Sequence, residues 1–374
     1  MKHAYSFAAV FAVAVFGGWC AMPVSALAAY RFANFRGRPP IHVRTSGSAV
    51  PQGVSPDAIK KAYRLPSSGG SGTIAIVDAY DDPTIEKDLG IFDAAYGIPA
   101  CTTKNHCFEK HKMSASIKAD SGWSLETALD VEWAHAIASN AKILLVEAKT
   151  PSGANLLSAV DYAAKRKDVV AVSMSWGGAE FSDEADYDAH FTSPSGAVFF
   201  AASGDDGAGV SWPAVSPSVI GVGGTSFEIS SRGALISESA WEGSGGGVSA
   251  YEKEPDYQKK YAVPRADGMR AVPDVAYNAD PASGYAVYKT TGRSKKGWYA
   301  VGGTSAGAPQ WAAIRALGHT AELGKLYADK AAPRPSQFFR DIASGSNGDC
   351  AYYCDARRRY DYVTGLGSPQ TAFF

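Results

Sequence analysis

The sequence has few cysteines, no charge excess and no long apolar run after its first segment, and each absence excludes a class of protein. Lys and Arg number 36 against 37 Asp and Glu in 374 residues, for a formal net charge of -1. Without a basic excess there is no electrostatic footprint for nucleic-acid binding. Since 46% of the residues are hydrophobic, the chain can bury a core, which excludes a disordered protein.

The N-terminus predicts an export signal. Lys2 and His3 precede an apolar run at Phe7–Phe16 that is too short to span a bilayer, and Ser25–Ala28 has the small-x-small pattern of a signal-peptidase site. We expect residues 1–28 to be removed, leaving an exported protein with no membrane segment. A lipoprotein cysteine at Cys20 is a weaker alternative, because a bulky residue precedes it.

Four cysteines remain after removal of the signal. An exported context favours disulfides, and the pairs that are close in sequence would close short loops. We therefore predict the disulfides Cys101–Cys107 and Cys350–Cys354. A zinc site is the alternative, but no second CxxC or HxxxH motif lies nearby.

From residue 73 onward, short apolar runs alternate with longer amphipathic ones. The predicted strands are Thr73–Asp78, Lys142–Ala148, Val169–Ser175, Ala197–Ala202 and Ser218–Val222, and the predicted helices are Glu86–Tyr96, Leu125–Ser139 and Leu156–Lys165. This alternation predicts an α/β fold: a mostly parallel central sheet with helices on both faces and functional loops at the carboxyl ends of the strands. The polar residues 29–53 lack periodicity and are predicted to form an extended arm.

Motifs for nucleotide binding and for zinc proteases are missing. The glycine-rich segment Ser67–Gly72 precedes a strand instead of following one, and neither GxxxxGK[ST] nor HExxH occurs. The glycines must therefore serve another purpose.

One serine stands where a nucleophile could act. The segment Gly302–Pro309 places Ser305 among small residues at the start of an apolar helix, where backbone N–H groups lack partners. Pro309 is tolerable there only in the first turn. The alternative is that Thr304 or Ser305 simply caps the helix.

Acidic residues are better candidates for the base than any of the seven histidines, none of which lies in a motif typical of a base. Glu126 and Asp130 are four residues apart, so a helix puts both carboxyls on one face, where their repulsion raises an apparent pKa. A solvated helix face is the alternative. Asp205 follows the apolar run Ala197–Ala202, at a strand end where α/β proteins build their sites, although an Asp-Gly turn would also explain it.

These three segments, in this order, resemble the sedolisin (serine-carboxyl peptidase) family. Further segments fit the family in order: Pro56–Pro66, Thr73–Asp82, Ser173–Gly178, Trp241 with Ser244–Ser249, Pro273–Val275 and Tyr360–Pro369. The resemblance implies a subtilisin-like α/β fold, a single catalytic domain over residues 54–374, and an acid-active serine peptidase.

The resemblance also implies roles for individual residues. Ser305 would be the nucleophile, Glu126 its general base and later acid, Asp130 the group that holds and tunes Glu126, and Asp205 the oxyanion partner. Asp78 and Trp176 match positions that hydrogen-bond onward from the carboxyl pair in some members. The residues expected to contact the substrate backbone are Ser175, Gly177, Gly178, Gly245 and Gly246.

One calcium ion is implied near the C-terminus. The side chains of Asp341 and Asp361 match two family ligands, and Ile342 and Arg359 are candidates for carbonyl ligands. Oxygen ligands on a flexible loop suit calcium. The sequence departs from the family at Arg357 and Arg359, where members often have glycine, and two cations there would oppose the ion.

We therefore expect an exported, monomeric, calcium-binding peptidase that acts on peptides or denatured proteins, either as an endopeptidase or as a tripeptidyl-peptidase. A catalytically silent binding or adhesion protein on the same scaffold is the alternative, and a paired-carboxylate glycosidase is a distant third. Family members typically begin with a large propeptide, for which residues 29–53 are too few. Either the enzyme folds and is restrained without a propeptide, or this arm does part of that work, or the silent alternative gains weight.

Overall fold

The structure is a computed structural model that describes residues 32–290, 296–319, 321–331 and 338–370. The predicted signal peptide and its cleavage site lie outside these residues. The strands are β1 (His42–Ser48), β2 (Thr73–Ala79), β3 (Phe108–Lys112), β4 (Lys142–Ala148), β5 (Val169–Met174), β6 (Val198–Ala202), β7 (Val219–Ile229), β8 (Leu235–Ala240), β9 (Gly247–Lys253), β10 (Met269–Val272), β11 (Val275–Asn278), β12 (Tyr285–Lys289), β13 (Gly297–Gly302), β14 (Phe339–Arg340) and β15 (Ser368–Pro369).

Helices cover the sheet and connect its strands. The α-helices are α1 (Pro56–Ala62), α2 (Ile85–Tyr96), α3 (Ser121–Ile137), α4 (Gly153–Ala164), α5 (Asp256–Tyr261), α6 (Gly307–Ala316) and α7 (Leu323–Ala331). Short 3₁₀ helices lie at Glu184–Phe191, Pro281–Ser283, Thr304–Ala306 and Ala351–Tyr353. The predicted elements from residue 73 to residue 222 are all present, with ends that differ by a few residues.

The central sheet has the strand order β11-β7-β6-β5-β2-β4-β3, with β8 paired to β7. All neighbours in this order are parallel, and only the β7–β8 pair is antiparallel. The expectation of a mostly parallel α/β sheet is confirmed. Sequence reasoning missed β3, whose polar residues alternate little, and the second half of β7.

Side chains of the central strand β2 divide the core into two halves. Ile74 and Ile76 pack in a cluster that includes residues of α3 and α6, whereas Ala75 and Val77 pack in a second cluster with residues of α4. Successive side chains of a strand point to opposite faces. Because both faces are covered, the whole of β2 is buried and its sequence is continuously apolar up to Asp78.

Polar residues lie at the carboxyl ends of three neighbouring strands. Asp78 lies at the end of β2, Ser175 follows β5, and Asp205 follows β6. These strands are adjacent and parallel in the order β6-β5-β2, so their carboxyl ends meet at the same edge. This edge of the sheet is where an α/β fold places its functional loops.

The extended arm is paired to the body of the protein. Its strand β1 pairs antiparallel with β13, with His42 opposite Gly302 and Ser48 opposite Trp298, and β13 pairs in turn with β12. The arm therefore forms an edge strand of a small sheet that ends beside Ser305.

Both predicted disulfides are present. Cys101 is bonded to Cys107 and Cys350 to Cys354, with Cα–Cα distances of 4.9 and 5.1 Å. In the part of the chain that the structure describes, no helix has the length and apolar character needed to cross a bilayer.

Candidate active site

Ser305 sits in the short turn between β13 and α6. It is fully buried, and its Oγ has no well-aligned hydrogen bond with any described residue. The turn begins at Gly303, whose φ of +129° favours glycine. Neither Thr304 nor Ser305 caps the helix: α6 starts without a side-chain cap, and Pro309 falls in its first turn. The helix-cap interpretation is therefore wrong, and the serine hydroxyl is free to react.

Glu126 and Asp130 lie one turn apart on α3 and are both fully buried. The helix starts with Asp120, whose side chain accepts hydrogen bonds from two backbone N–H groups of the first turn, 3.0 and 3.1 Å away. Residues 123–137 of this helix are all buried, so the carboxyl pair does not lie on a solvated face. That alternative is excluded.

A third carboxyl, Asp78, joins this pair. Burial raises the pKa of Asp78 to about 7, and a contact with Thr127 partly opposes the shift. Both oxygens of Asp78 and both of Glu126 lack a well-aligned donor among the described residues. Three carboxyls with so few donors cannot all be ionised in a dry interior, so the cluster holds protons well above the usual pH for carboxyls.

The electrostatics favour the protonated state of Glu126 and Asp130 most strongly. Burial raises the pKa of Glu126 well above its usual value, and the negative charge of Asp78 raises it further, while the approach of the Ser305 hydroxyl lowers it. Burial likewise raises the pKa of Asp130, followed by the charges of Asp78 and Glu126. The pair therefore titrates as a coupled unit, with pKa values above the usual range of carboxyls.

Ser175 joins Asp130 to the serine turn. Its Oγ donates a hydrogen bond to Asp130 Oδ1 at 2.9 Å and approaches Ser305 O at 3.2 Å. The side chain of Ser175 thus fixes Asp130, and the expected contact of Ser175 with substrate stays a prediction. The indole N–H of Trp176 donates to Val77 O at 2.9 Å, so this tryptophan does not extend the hydrogen-bonded chain of carboxyls.

Asp205 approaches the serine turn from the other side. Its Oδ1 accepts two hydrogen bonds of 2.8 Å, from the backbone N–H and the hydroxyl of Thr304. Its Oδ2 faces His42 Nε2 at 3.1 Å. Burial raises the pKa of Asp205, while His42 and Thr304 lower it. One carboxyl oxygen is thus fixed by Thr304, and the other faces His42.

Among the glycines expected to contact substrate, Gly177 exchanges backbone hydrogen bonds with Arg38 of the arm. Gly178 exchanges hydrogen bonds with Trp212. Added Cβ atoms on Gly245 and Gly246 would lie 2.2 Å from Ser203 O and 1.9 Å from Tyr362 O. These two glycines are required by internal packing, which corrects the expectation that they let a peptide approach.

Sequence reasoning missed His42 and Thr304 as residues of this site. Thr304 stands next to the serine, and its two hydrogen bonds to Asp205 could have been suspected from the adjacency. His42 gave no such signal, because it lies in the arm and reaches Asp205 only through folding. Its pKa is raised mainly by the hydrogen bond to Asp205, against the opposing effect of partial burial.

The two aspartates expected to bind calcium, Asp341 and Asp361, both accept hydrogen bonds from backbone N–H groups of the loop of residues 355–364. Both oxygens of Asp341 accept from the backbone N–H of Arg359 at 2.9 Å. Asp361 accepts four hydrogen bonds, from the backbone N–H groups of residues 357, 363 and 364 and from the hydroxyl of Thr364. A carboxylate with four donors has no lone pair left for a cation, so Asp361 as arranged does not offer a ligand atom to the ion. The ligand set of Asp341, Ile342, Arg359 and Asp361 stays a prediction from the resemblance.

Comparison with known proteins adds independent information. The Subtilase family pattern matches residues 113–322. Kumamolisin from a Bacillus species is 33% identical, over 87% of this chain and 63% of the relative. Sedolisin from a Pseudomonas species is 25% identical, over 87% of this chain and 61% of the relative. The chain thus spans about three fifths of the length of these curated relatives.

A solved structure of Pseudomonas sedolisin, described as a serine-carboxyl proteinase complexed with two molecules of pseudo-iodotyrostatin, also resembles this chain. It superposes with a TM-score of 0.72 at 26% identity, covering 87% of this chain and 97% of that one.

The state of the C-terminal loop gives a first testable prediction. Because Asp361 already accepts four hydrogen bonds, we expect thermal unfolding of Ser305→Ala protein to occur at the same temperature with millimolar Ca²⁺ and with a chelator. A calcium-dependent rise in the melting temperature would show that the loop rearranges to bind the ion. The double variant Arg357→Gly, Arg359→Gly tests whether the two arginines prevent this rearrangement.

The buried carboxyls predict how stability depends on pH. Since the folded pKa of Asp78 is raised from 3.8 to about 7, its contribution is fully present below pH 4 and is lost as the pH rises towards 7. For Asp78 alone this change corresponds to about 4 kcal/mol as an upper limit. Urea denaturation at several pH values, in the Ser305→Ala background to prevent self-digestion, should show a shallower decline for Asp78→Asn.

The exposed residue Asp256 supplies the control for this experiment. Its side chain is 86% exposed, so Asp256→Asn should retain the pH dependence of the parent. An equal slope in the parent and in Asp78→Asn would contradict the assignment of this titration to the buried cluster.

Proposed function

The chain belongs to the subtilase family and, within it, to the sedolisin family of serine-carboxyl peptidases, and we propose that it hydrolyses peptide bonds at acid pH through Ser305. The observation that carries this proposal is the unpartnered Ser305 hydroxyl beside the buried Glu126 carboxyl, with Asp205 on its other side. A nucleophile, a base and an oxyanion donor are the groups that acyl transfer requires.

In the first step, Glu126 accepts the proton of Ser305 as Oγ attacks the carbonyl carbon of the substrate. A carboxylate with its usual pKa is too weak a base for a serine hydroxyl. Burial raises the pKa of Glu126, so its ionised form is a stronger base towards the Ser305 hydroxyl. Asp130 positions Glu126 from the next turn of α3, and Ser175 in turn fixes the orientation of Asp130.

The negative charge that develops on the carbonyl oxygen requires a donor. Thr304 fixes Oδ1 of Asp205, so its Oδ2 is the atom that can carry a proton towards the oxyanion. A carboxyl group can donate only while it is protonated, and burial raises the pKa of Asp205 in the required direction. Collapse of the intermediate then returns the proton from Glu126 to the leaving amine, and water hydrolyses the acyl-enzyme by the reverse sequence.

Peptides and denatured proteins are the proposed substrates, and a compartment outside the cytoplasm is the proposed location. The backbone of Gly177 already pairs with one extended segment, at Arg38, so this edge has the geometry to pair with an extended backbone of any sequence once that segment moves aside. Two disulfides support an oxidising compartment.

Substituting the nucleophile tests the reaction. Ser305→Ala is expected to lower hydrolysis of a denatured protein between pH 3 and 7 by roughly 10⁴-fold or more. Ser158→Ala is the matched control, because Ser158 lies on the outer surface of α4 and its hydroxyl bonds only the backbone of its own helix. Equal activity of Ser305→Ala and its parent would reject the mechanism. Mass spectrometry of the products from one defined peptide distinguishes internal cleavage from the release of N-terminal tripeptides.

The role of Asp205 predicts a change in the pH profile. Wild-type activity should fall as the pH rises through the pKa of Asp205, because the ionised carboxylate repels the oxyanion. The amide of Asp205→Asn donates without a titrating proton, so the decline should move to higher pH while the activity at the acid optimum changes little. Collapse of activity at every pH would contradict a role as a neutral donor.

A further inference from the structure

The Cys101–Cys107 disulfide lies at the opposite edge of the sheet from the Ser305 site. Cys107 directly precedes β3 and Ala141 directly precedes β4, so the bond closes a loop at the amino ends of these two parallel strands. Cys101 is fully buried, whereas Cys107 is half-buried. Sequence reasoning found no further metal ligands close to these cysteines in the chain. The fold brings two candidates to them from distant helices.

The first candidate is His135, in the last turn of α3. Its side chain is fully buried, and one of its ring nitrogens lies within 4.8 Å of both sulfur atoms. Nε2 donates a hydrogen bond to Pro99 O at 2.8 Å, so Nδ1 keeps a lone pair, which has no partner among the described residues. Burial lowers the pKa of this imidazole, which favours the neutral form that binds metals. An unpaired lone pair in a dry interior costs stability, and a bound cation would satisfy it.

The second candidate, Asp93 of α2, lies against the same ring. Its Oδ2 accepts a hydrogen bond from the backbone N–H of Cys101 at 3.2 Å, and its Oδ1 is 3.6 Å from Nε2 of His135. This Oδ1 is buried and lacks a hydrogen-bond partner among the described residues. Histidines that bind metals commonly direct their second ring N–H at a carboxylate or a backbone carbonyl, which orients the ring. Asp93 and Pro99 O stand in that relation to His135.

A surface cavity gives access to this loop. The cavity has a volume of about 280 Å³, and Cys107 lines it together with His106, Asn140 and Lys142. A cation and a water molecule can therefore reach the sulfur atom from solvent. Two thiolates and one imidazole, with water in the fourth position, are a ligand set that suits zinc, whereas calcium would require oxygen ligands.

We propose that the reduced Cys101–Cys107 loop is a zinc site, in which both thiolates and the imidazole of His135 bind the ion and Asp93 positions the ring. An external dithiol reduces the disulfide: it gives two electrons and two protons to the two sulfur atoms and leaves as a disulfide itself. Binding of Zn²⁺ then displaces the two thiol protons into solvent. The disulfide and the zinc complex exclude each other because they use the same sulfur atoms. The site is independent of the peptidase activity proposed above.

Zinc binding by the full-length chain tests the site. Ser305→Ala protein, in which self-digestion is prevented, is reduced with a trialkylphosphine that is then removed in the absence of oxygen, and bound Zn²⁺ is counted by native mass spectrometry. One zinc ion per chain is expected on the reduced protein and none on the oxidised protein. A reduced protein without zinc, or equal zinc on both forms, would overturn the proposal.

The second disulfide provides a matched control. Among the described residues, no His, Asp or Glu completes a group of three potential ligands with Cys350 and Cys354. The double variant Cys350→Ser, Cys354→Ser should therefore retain the zinc, whereas Cys101→Ser, Cys107→Ser should lose it. Zinc retained by the second of these proteins would show that other thiols or the unfolded chain bind the ion, which contradicts the assignment.

Two further variants test the groups that the helices supply, with zinc affinity measured against a chromophoric chelator. Asp93→Asn should weaken binding by about 10- to 100-fold, because the group that orients the ring is changed, and His135→Gln by roughly 100-fold or more, because a ligand is removed. His106→Asn is the control, since His106 is exposed in the loop between the cysteines. An equal loss of affinity in His106→Asn and His135→Gln would place the metal on the exposed loop. Binding that appears only when the circular dichroism of the helices is lost would also overturn the site.

Discussion

Burial of three carboxyl groups beside one serine is the constraint on which the site depends. Asp78, Glu126 and Asp130 are fully buried, and most of their oxygens lack a well-aligned donor among the described residues. Removing an ionised carboxylate from water costs several kcal/mol unless donors or cations replace the water. The cluster meets this constraint by retaining protons. Its raised pKa values and the stronger basicity of ionised Glu126 towards Ser305 both have this one cause, whereas the expected preference for acid comes from the carboxyl of Asp205.

Two other buried carboxylates, which lie outside the candidate site, are surrounded by hydrogen-bond donors. Asp274 is fully buried beside Arg270 and receives hydrogen bonds from its guanidinium, from Gly221 N and from the Tyr327 hydroxyl. Asp361 is likewise surrounded by four donors. In these places every oxygen is satisfied. Single carboxyl oxygens without a well-aligned donor also occur elsewhere in the interior, as at Asp93, Glu132 and Glu184. What distinguishes the site is that three such carboxyls are coupled beside one serine.

Much of this arrangement could be predicted from local sequence. The apolar runs predicted the parallel strands, and the spacing of Glu126 and Asp130 predicted that both carboxyls lie on one helix face. Other features depend on contacts between distant segments. The strand β3 (Phe108–Lys112) is polar and forms because β4 offers it a free edge. Gly245 and Gly246 are glycines because distant carbonyls lie where a Cβ would be, and no local pattern distinguishes that need from access for a substrate.

His42 is the strongest case of a residue that local reasoning cannot place. As one of seven histidines in a polar segment, it has no neighbours that suggest a partner. Its significance comes from the antiparallel pairing of β1 with β13, which sets it opposite Gly302 and within reach of Asp205. Because strand pairing, and not any neighbour in the sequence, brings the imidazole to this carboxyl, only the folded chain shows that His42 raises the number of polar groups around Asp205 and lowers the pKa that burial raises there.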